Sequence, residues 1–418
     1  MGNIWVGEEK LNNLVKAFHM NGFEIYAVGG CVRDFLLHYH PKDIDFCTNA
    51  TTKQMYEVAR TLVQELHEEC YIIPTGEEFG TLTFHFHEGG QYEVTSYRRE
   101  GVYHDGRHPD EVIFTTSIVE DLARRDFTCN AIAMNWETKE LIDPFGGETD
   151  IQNGIIRCVG NPKERFEEDA LRILRLARFA IKYNFKIEDS TLKAAYESID
   201  RIKMVSRERI GAEFTKIFQF DIHKLMDKEL KDFLIHIIEI SLGCGNTFLS
   251  STATFFSYTT PLLRWRLASH FSTQNEQESI AFLNRMAIGK EVVFGVRNVS
   301  RAIDFINTKG SIKKKALNIV RTEEERKALF DYLTLSYEKD VVYELVKAII
   351  RKEPYCLADL AIDGDWVMKE FEIEEGKKVA ELLQKALNHV CLFPWMNNRE
   401  CLKGYLTEIV QEDEVDAV

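Results

Sequence analysis

No apolar run in this sequence approaches the roughly 18–20 residues that a membrane span needs, so no membrane partner is expected. Its first residues, MGNIWVGEEKLNN, lack the basic, apolar and small-residue order of a signal peptide, and a cytoplasmic protein is the expectation. The nine cysteines, at 31, 47, 70, 129, 158, 244, 356, 391 and 401, form no CxxC pair. Their odd number argues against a complete disulfide framework, their scatter argues against a zinc site, and they read as reduced, buried hydrophobes. A fixed-period repeat and a long disordered tail are also missing. Positive charge is in short supply: 52 Lys and Arg stand against 67 Asp and Glu, a net charge of −15.

That deficit looks wrong for a nucleic-acid partner, because phosphate contacts need cations. The charge is uneven, however. Residues 157–216 are locally basic, with Arg172, Arg175, Arg178, Lys182 and Lys186 close together, whereas Glu412, Asp413, Glu414 and Asp416 dominate the end. An acidic chain with one basic face remains compatible with RNA.

At 418 residues the chain is long enough for two to four compact units. Short β-rich runs at 23–28, 71–73, 81–86, 92–96, 112–114 and 155–159 alternate with helical stretches at 52–65 and 118–136. Gly29-Gly30, Gly89-Gly90 and Gly146-Gly147 mark turns between them. From about residue 160 the strand signals fade. Apolar residues at helical spacing then predict helices over 166–181, 189–196, 206–218, 228–240, 278–287 and 375–390, with 247–260 an irregular connection.

The densest chemical signal is VGGCVRD at 28–34, followed by KDIDF at 42–46. A strand running into Gly29-Gly30 and then a helix bares backbone N–H groups suited to phosphate, and Arg33 adds a fixed charge. Asp43 and Asp45, two apart on one predicted strand, turn their carboxylates to the same side. Paired carboxylates of this kind suit two Mg²⁺ ions, which take few protein oxygens and complete their shells with substrate phosphates. Glu93 lies on a strand after the Gly89-Gly90 turn and is a candidate third carboxylate beside them.

The segments GGxVRD–DxD, EVTSYR at 93–98, RRDFTCNA at 124–131, DPFGGETD at 143–150 and EEDALRILRLARF at 167–179 resemble the class II tRNA nucleotidyltransferases, the CCA-adding enzymes and poly(A) polymerases. The likeness is specific in the first half and holds in outline to Gly376-Lys377-Lys378 and the stretch from Pro394 to Glu400. It implies an α+β fold: a nucleotidyltransferase (polymerase beta-like) head at 1–155, then a helical neck at 156–225, body at 226–345 and tail at 346–418. It also implies template-independent addition of C and A to the 3′ end of tRNA from CTP and ATP. Asp43 and Asp45 then hold Mg²⁺ with Glu93 in support, and the RNA 3′-hydroxyl displaces pyrophosphate in line. Gly29, Gly30, Arg33, Arg124, Asp126, Asn130, Arg175 and Arg178 fall to nucleotide binding.

Asp169 and Arg172, expected on one helix face, match the family's reader of the base edge. A carboxylate accepts from the amino group of cytosine or adenine, where uracil and guanine present an oxygen. Arg172 donates to the neighbouring ring nitrogen. The resemblance further implies that the Gly-containing loop from Arg98 to Pro109 helps to switch from C to A addition. His104 and His108 within it, and His85 and His87 on one strand face, read as surface residues rather than ligands. Ser206-Arg207-Glu208-Arg209-Ile210 resembles a scaffolding motif at a helix start. Residues 262–271 resemble the flank of an HD phosphohydrolase site, but Phe271 stands where Asp is required, so that region reads as degenerate. Lys313, Lys314 and Lys315 are candidate tRNA contacts. Partial enzymes adding only A or only C share these motifs, as do poly(A) polymerases, although the GEEFGT segment at 76–81 looks like the CCA-adding form. A small-molecule nucleotidyltransferase or a non-catalytic RNA-binding protein is the more distant alternative.

Overall fold

Apolar residues at alternating or continuous spacing build one central sheet. The computed structural model describes residues 8–41, 43–87, 90–100, 112–220, 228–243, 260–273, 275–308, 313–336 and 338–415. These residues divide into two compact units. The first comprises the described residues up to Phe220 together with Lys228–Ser241, and the second those from Leu242 onward.

In the first unit, α1 (Glu8–Met20) leads into β1 (Ile25–Val28), α2 (Gly30–Leu36) and β2 (Asp45–Thr48). Then follow α3 (Thr52–Gln64), β3 (Cys70–Gly76), β4 (Thr81–Phe86), β5 (Gly90–Ser96), β6 (Arg98–Glu100) and β7 (Val112–Phe114). Next come α4 (Ile118–Ala123), β8 (Ala133–Met134), β9 (Leu141–Ile142), α5 (Gly147–Gln152) and β10 (Ile155–Ile156). Seven strands form one sheet in the order β3-β4-β5-β2-β1-β8-β9. Only β2 and β5 run parallel within it; the other pairs are antiparallel. Helix α3 is set by a capping box in which Thr51 and Gln54 serve each other, worth about 1 kcal/mol. Its buried residues Met55, Val58 and Leu62 recur at helical spacing, as a helix packed on a sheet requires.

Most expected elements lie where the sequence put them, with four informative differences. The predicted helix over 118–136 ends at Ala123; a single 3₁₀ turn follows at Thr128–Asn130, and β8 then pairs with β1. Polar side chains in between make hydrogen bonds of their own instead of continuing the helix. Asp126 accepts from its neighbour Phe127 N–H at 2.9 Å, and Thr128 Oγ1 donates to Asp150 at 2.7 Å. Asp43 precedes β2 rather than lying on it. Beyond residue 160 the described residues carry one further strand, β11 (Lys186–Ile187), parallel to β10.

The remaining elements of this unit are α6 (Pro162–Glu168), α7 (Leu171–Tyr183), α8 (Asp189–Ser198), α9 (Arg207–Ile217) and α10 (Lys228–Leu242). The single helix expected over 166–181 is therefore two. Asp169 is extended, at φ −148° and ψ 104°, and its Oδ1 accepts from Leu171 N–H at 3.0 Å, starting α7 afresh. Apolar periodicity runs through this break, which is why periodicity alone missed it. Gly147 opens α5 where a Cβ would lie 2.1 Å from the Thr128 carbonyl oxygen, so only glycine fits.

The described residues of the second unit carry helices and no strand. Its C-terminal part has its own core of Ile362, Val367, Val379, Leu382, Ala386, Val390, Leu402 and Leu406. Lys314 is buried and donates to Glu353 at 2.9 Å, and Lys315 bonds Asn388. Lys314 is thus a structural cation, not one offered to an RNA backbone. His270 lies on the helix Pro261–Ser272, and the 247–259 connection and the loop carrying His104 and His108 lie outside the described residues.

Candidate active site

Strand β1 turns into α2 through Gly29, whose φ of +78° disfavours other residues. Space is short as well. A Cβ on Gly29 would stand 3.0 Å from Arg125 Nη1, and one on Gly30 3.4 Å from Arg33 Nη2. Arg33 is not extended towards solvent. It is 5% exposed, donates to Asp34 at 2.7 and 2.9 Å and to Asn130 Oδ1, and lies over the rings of Phe179 and Tyr183, 5.0 and 4.6 Å from their centroids.

Beside this turn, the parallel register pairs Asp45 with Glu93. Both are exposed while the adjacent Phe46, Tyr92 and Val94 are buried, so the two carboxylates leave the sheet on the same face. Asp43, although off the strand, lines the same cleft as Asp45. That cleft, of about 510 Å³, is also bordered by Gly30, Cys31, Arg33, Asp34, Tyr39, His40, Lys182 and Tyr183. Surrounding protein, and next the charges of Glu93 and Asp43, push the Asp45 carboxyl up to about 6, against an opposing pull from Arg125. Since Asp45 itself opens to the cleft, we give most weight to the repulsion among carboxylates. A divalent cation relieves such repulsion, so the donor set fits one. Among the described residues no three His, Cys, Asp or Glu side chains converge into a ready-made cage. A site of two or three carboxylates completed by substrate phosphates and water needs none.

Behind the cleft lies a frame of guanidinium groups, each anchored by an acid. Fully buried Asp121 holds Arg124 at 2.9 Å and Arg125 at 3.0 Å. Burial would raise its pKa, but the two arginines outweigh it and hold it below the ordinary value. Asp126 accepts from Arg175 at 2.6 and 2.8 Å and from Asn130 Nδ2 at 3.0 Å. Here too burial is outweighed, chiefly by Arg175, and the carboxyl is lowered to about 2. Asn130 donates to Asp126 with its nitrogen and accepts from Arg33 with its oxygen, which fixes its amide orientation. A continuous chain, Arg33–Asn130–Asp126–Arg175, therefore links α2 to α7. Arg178 is buried on Glu213 at 2.6 Å and lies over Phe179.

Asp169 and Arg172 are not on one helix face, because the break separates them. Asp169 is held by Arg209, with Nη1 and Nη2 donating at 3.2 and 2.7 Å. Arg172 donates to Glu168 and to the carbonyl oxygens of Arg165 and Arg124, at 3.1 and 3.3 Å. Sequence reasoning missed Asp121, Glu213, Glu168 and Arg209, as well as Tyr183 and Lys182 on the cleft wall. Asp121 and Glu168 were findable, three to four residues from their arginines at helical spacing. Glu213 and Arg209 lie 35 and 40 residues from their partners and leave no local signal. His85, half-buried, stacks on Tyr71 at 4.7 Å, and exposed His87 is 3.7 Å from Glu69.

Two family models match the chain: the "Poly A polymerase head domain" over residues 25–157, and the "Probable RNA and SrmB- binding site of polymerase A" over 184–233. The chain is 32% identical over 398 residues to the CCA-adding enzyme of Enterococcus faecalis, covering 94% of each chain. It is 31% identical over 418 residues to that of Bacillus pumilus, covering 96% of this chain and 98% of the relative. Its fold is similar to that of the Bacillus stearothermophilus CCA-adding enzyme in complex with CTP, with a TM-score of 0.74, 24% identity and all of both chains covered. The Thermotoga maritima CCA-adding enzyme complexed with tRNA aligns at a TM-score of 0.68 with 20% identity, over 96% of this chain and 95% of that one.

Proposed function

This chain belongs to the family of CCA-adding enzymes, and from that premise we infer that it adds C and A to the 3′ end of tRNA without a template. The nucleotidyl group comes from CTP or ATP and pyrophosphate leaves. The observation that carries the reading is the parallel register setting Asp45 beside Glu93, with Asp43 lining the same cleft. Membership brings dependence on a divalent metal, which we take to be Mg²⁺, held by Asp43 and Asp45 with Glu93 in support. When bound, that ion supplies positive charge to the attacking 3′-hydroxyl oxygen and to the departing pyrophosphate.

The protein's own residues supply positioning. Gly29 and Gly30 give close backbone approach beside Arg33. Arg124, Asp126, Asn130, Arg175 and Arg178 frame the nucleotide, their ion pairs and hydrogen bonds to neighbouring protein groups already formed before substrate arrives, so that little reorganisation remains. Asp169 accepts from the amino group of cytosine or adenine. Arg172 supplies a donor for the ring nitrogen once it releases Glu168 or shares its five N–H groups. We propose a catalytic head at 1–155, a base-reading neck at 156–225, and a body at 226–345 and tail at 346–418 that hold the tRNA, the whole acting in the cytoplasm.

The test is gel-resolved extension of three tRNA transcripts, ending before CCA, after C and after CC, with CTP, ATP or both. Completion of all three is expected. Extension of the CC-ended transcript alone would replace this reading with an A-adding specialist, and extension of none would overturn it.

A further inference from the structure

We infer that Arg209 is a positioning residue for base selection, fixing the Asp169 carboxylate so that one acceptor position stays open for a base amino group. The inference rests on the reading of Asp169 above and goes beyond it. Asp169 stands in extended conformation at the break between α6 and α7, and two groups hold its side chain. Leu171 N–H donates to Oδ1 at 3.0 Å, and the Arg209 fork donates to Oδ1 at 3.2 Å and to Oδ2 at 2.7 Å. A carboxylate offers about four acceptor positions. These contacts fill both on Oδ1 and one on Oδ2, leaving the second on Oδ2.

This arrangement bears on selectivity in two ways. A carboxylate that could rotate would present an oxygen at varied angles and discriminate poorly between an amino group and a carbonyl. Held on both oxygens, it presents one acceptor in one direction, and a base oxygen arriving there meets only repulsion. Arg209 also balances the Asp169 charge. Lysine would supply the charge but not the planar two-pronged grip. Arg209 comes from α9, 40 residues away, so the reading carboxylate is oriented by a separate helix and not by its own turn. Its predicted partner in reading, Arg172, is anchored independently on Glu168 and on the carbonyls of Arg165 and Arg124.

The experiment compares kcat/KM for CTP against UTP on tRNA lacking CCA, and for ATP against GTP on CC-ended tRNA. It uses the full-length wild type, Arg209→Ala, Arg209→Lys and Arg207→Ala. Arg207 sits two residues earlier on α9 and donates to the Ser241 carbonyl, so its variant controls for damage to the helix. Arg209→Ala should narrow both ratios about tenfold, the size of one lost base-reading contact. Arg209→Lys should fall between it and wild type, and Arg207→Ala should match wild type. If both Arg209 variants keep the wild-type ratios, or lose all four nucleotides in equal proportion, the inference is overturned. A wild type that does not itself prefer CTP and ATP would instead overturn the functional reading, a separately visible result.

Discussion

Two aspartates of the first unit, Asp45 and Asp126, meet opposite electrostatic surroundings. Asp45 opens to a cleft beside Glu93 and Asp43, and its carboxyl is pushed up to about 6. Asp126 is buried among Arg175, Asn130 and Arg172, and its carboxyl is lowered to about 2. The chain supplies cations generously to one carboxylate and leaves the other facing its own kind. Since self-repulsion costs stability, the uncompensated cluster is where a cation from outside the chain has most to contribute. The compensated one is framework.

The sharpest way to break this comparison is to remove each carboxylate. Asp45→Ala and Asp43→Ala should abolish nucleotide incorporation, a loss of at least about 10³-fold, with tRNA affinity nearly intact. Turnover surviving in either variant would end the metal assignment. Their metal-free stability should not fall, because repulsion is removed. Asp126→Ala should behave in the opposite sense, destabilising the fold by about 3 kcal/mol in chemical denaturation because it strips Arg175 of its buried partner.

Acid titration sharpens the contrast further. The Asp45 carboxyl lies above its ordinary value, so the folded metal-free protein takes up a proton first, and this group adds stability as pH falls from about 7 towards 4. The Asp126 carboxyl lies below its ordinary value, so its contribution holds above about pH 4 and is lost as pH falls towards 2. Thermal melts of the chelated protein across this range should show both slopes. The extra stability conferred by added Mg²⁺ should shrink below pH 6, where a proton competes for Asp45. The smallest effect belongs to the exposed pair Arg60–Glu57, where Arg60→Ala should change stability by no more than about 0.5 kcal/mol.

How much of this could be read from the sequence depended on whether the determining contact was local. Gly29 and the β1–α2 turn follow from short-range geometry and were legible, whereas the register that sets Glu93 beside Asp45 comes from pairing of distant strands, and Asp43, expected on the strand with Asp45, precedes it. The break at Asp169 was not, because a side chain capping Leu171 interrupts the helix without disturbing the apolar spacing around it. The helix expected over 118–136 failed for a related reason, with polar side chains binding nearby backbone and strand pairing to β1 taking over. The arginines at 33, 172, 175 and 178 were chosen for their charge, and the structure pairs them with Asp34, Glu168, Asp126 and Glu213, of which only the sequence neighbours Asp34 and Glu168 could be found locally. Two of those four acids lie far along the chain from their partners, and only folding brings them together.

The amide of Asn130 sets a scale for the whole site. Donating on one side to Asp126 and accepting on the other from Arg33, it couples the turn beside the carboxylate cleft to the helix that carries Arg175. The separation between the turn beside the carboxylate cleft and the helix bearing the arginines is thus gauged by four side chains in series, much as a spacer block sets the gap between two machined faces. An aspartate there would present an oxygen where Asp126 needs a donor and force the two faces apart; a shorter residue would let them drift. Accuracy in such a device is a matter of tolerance.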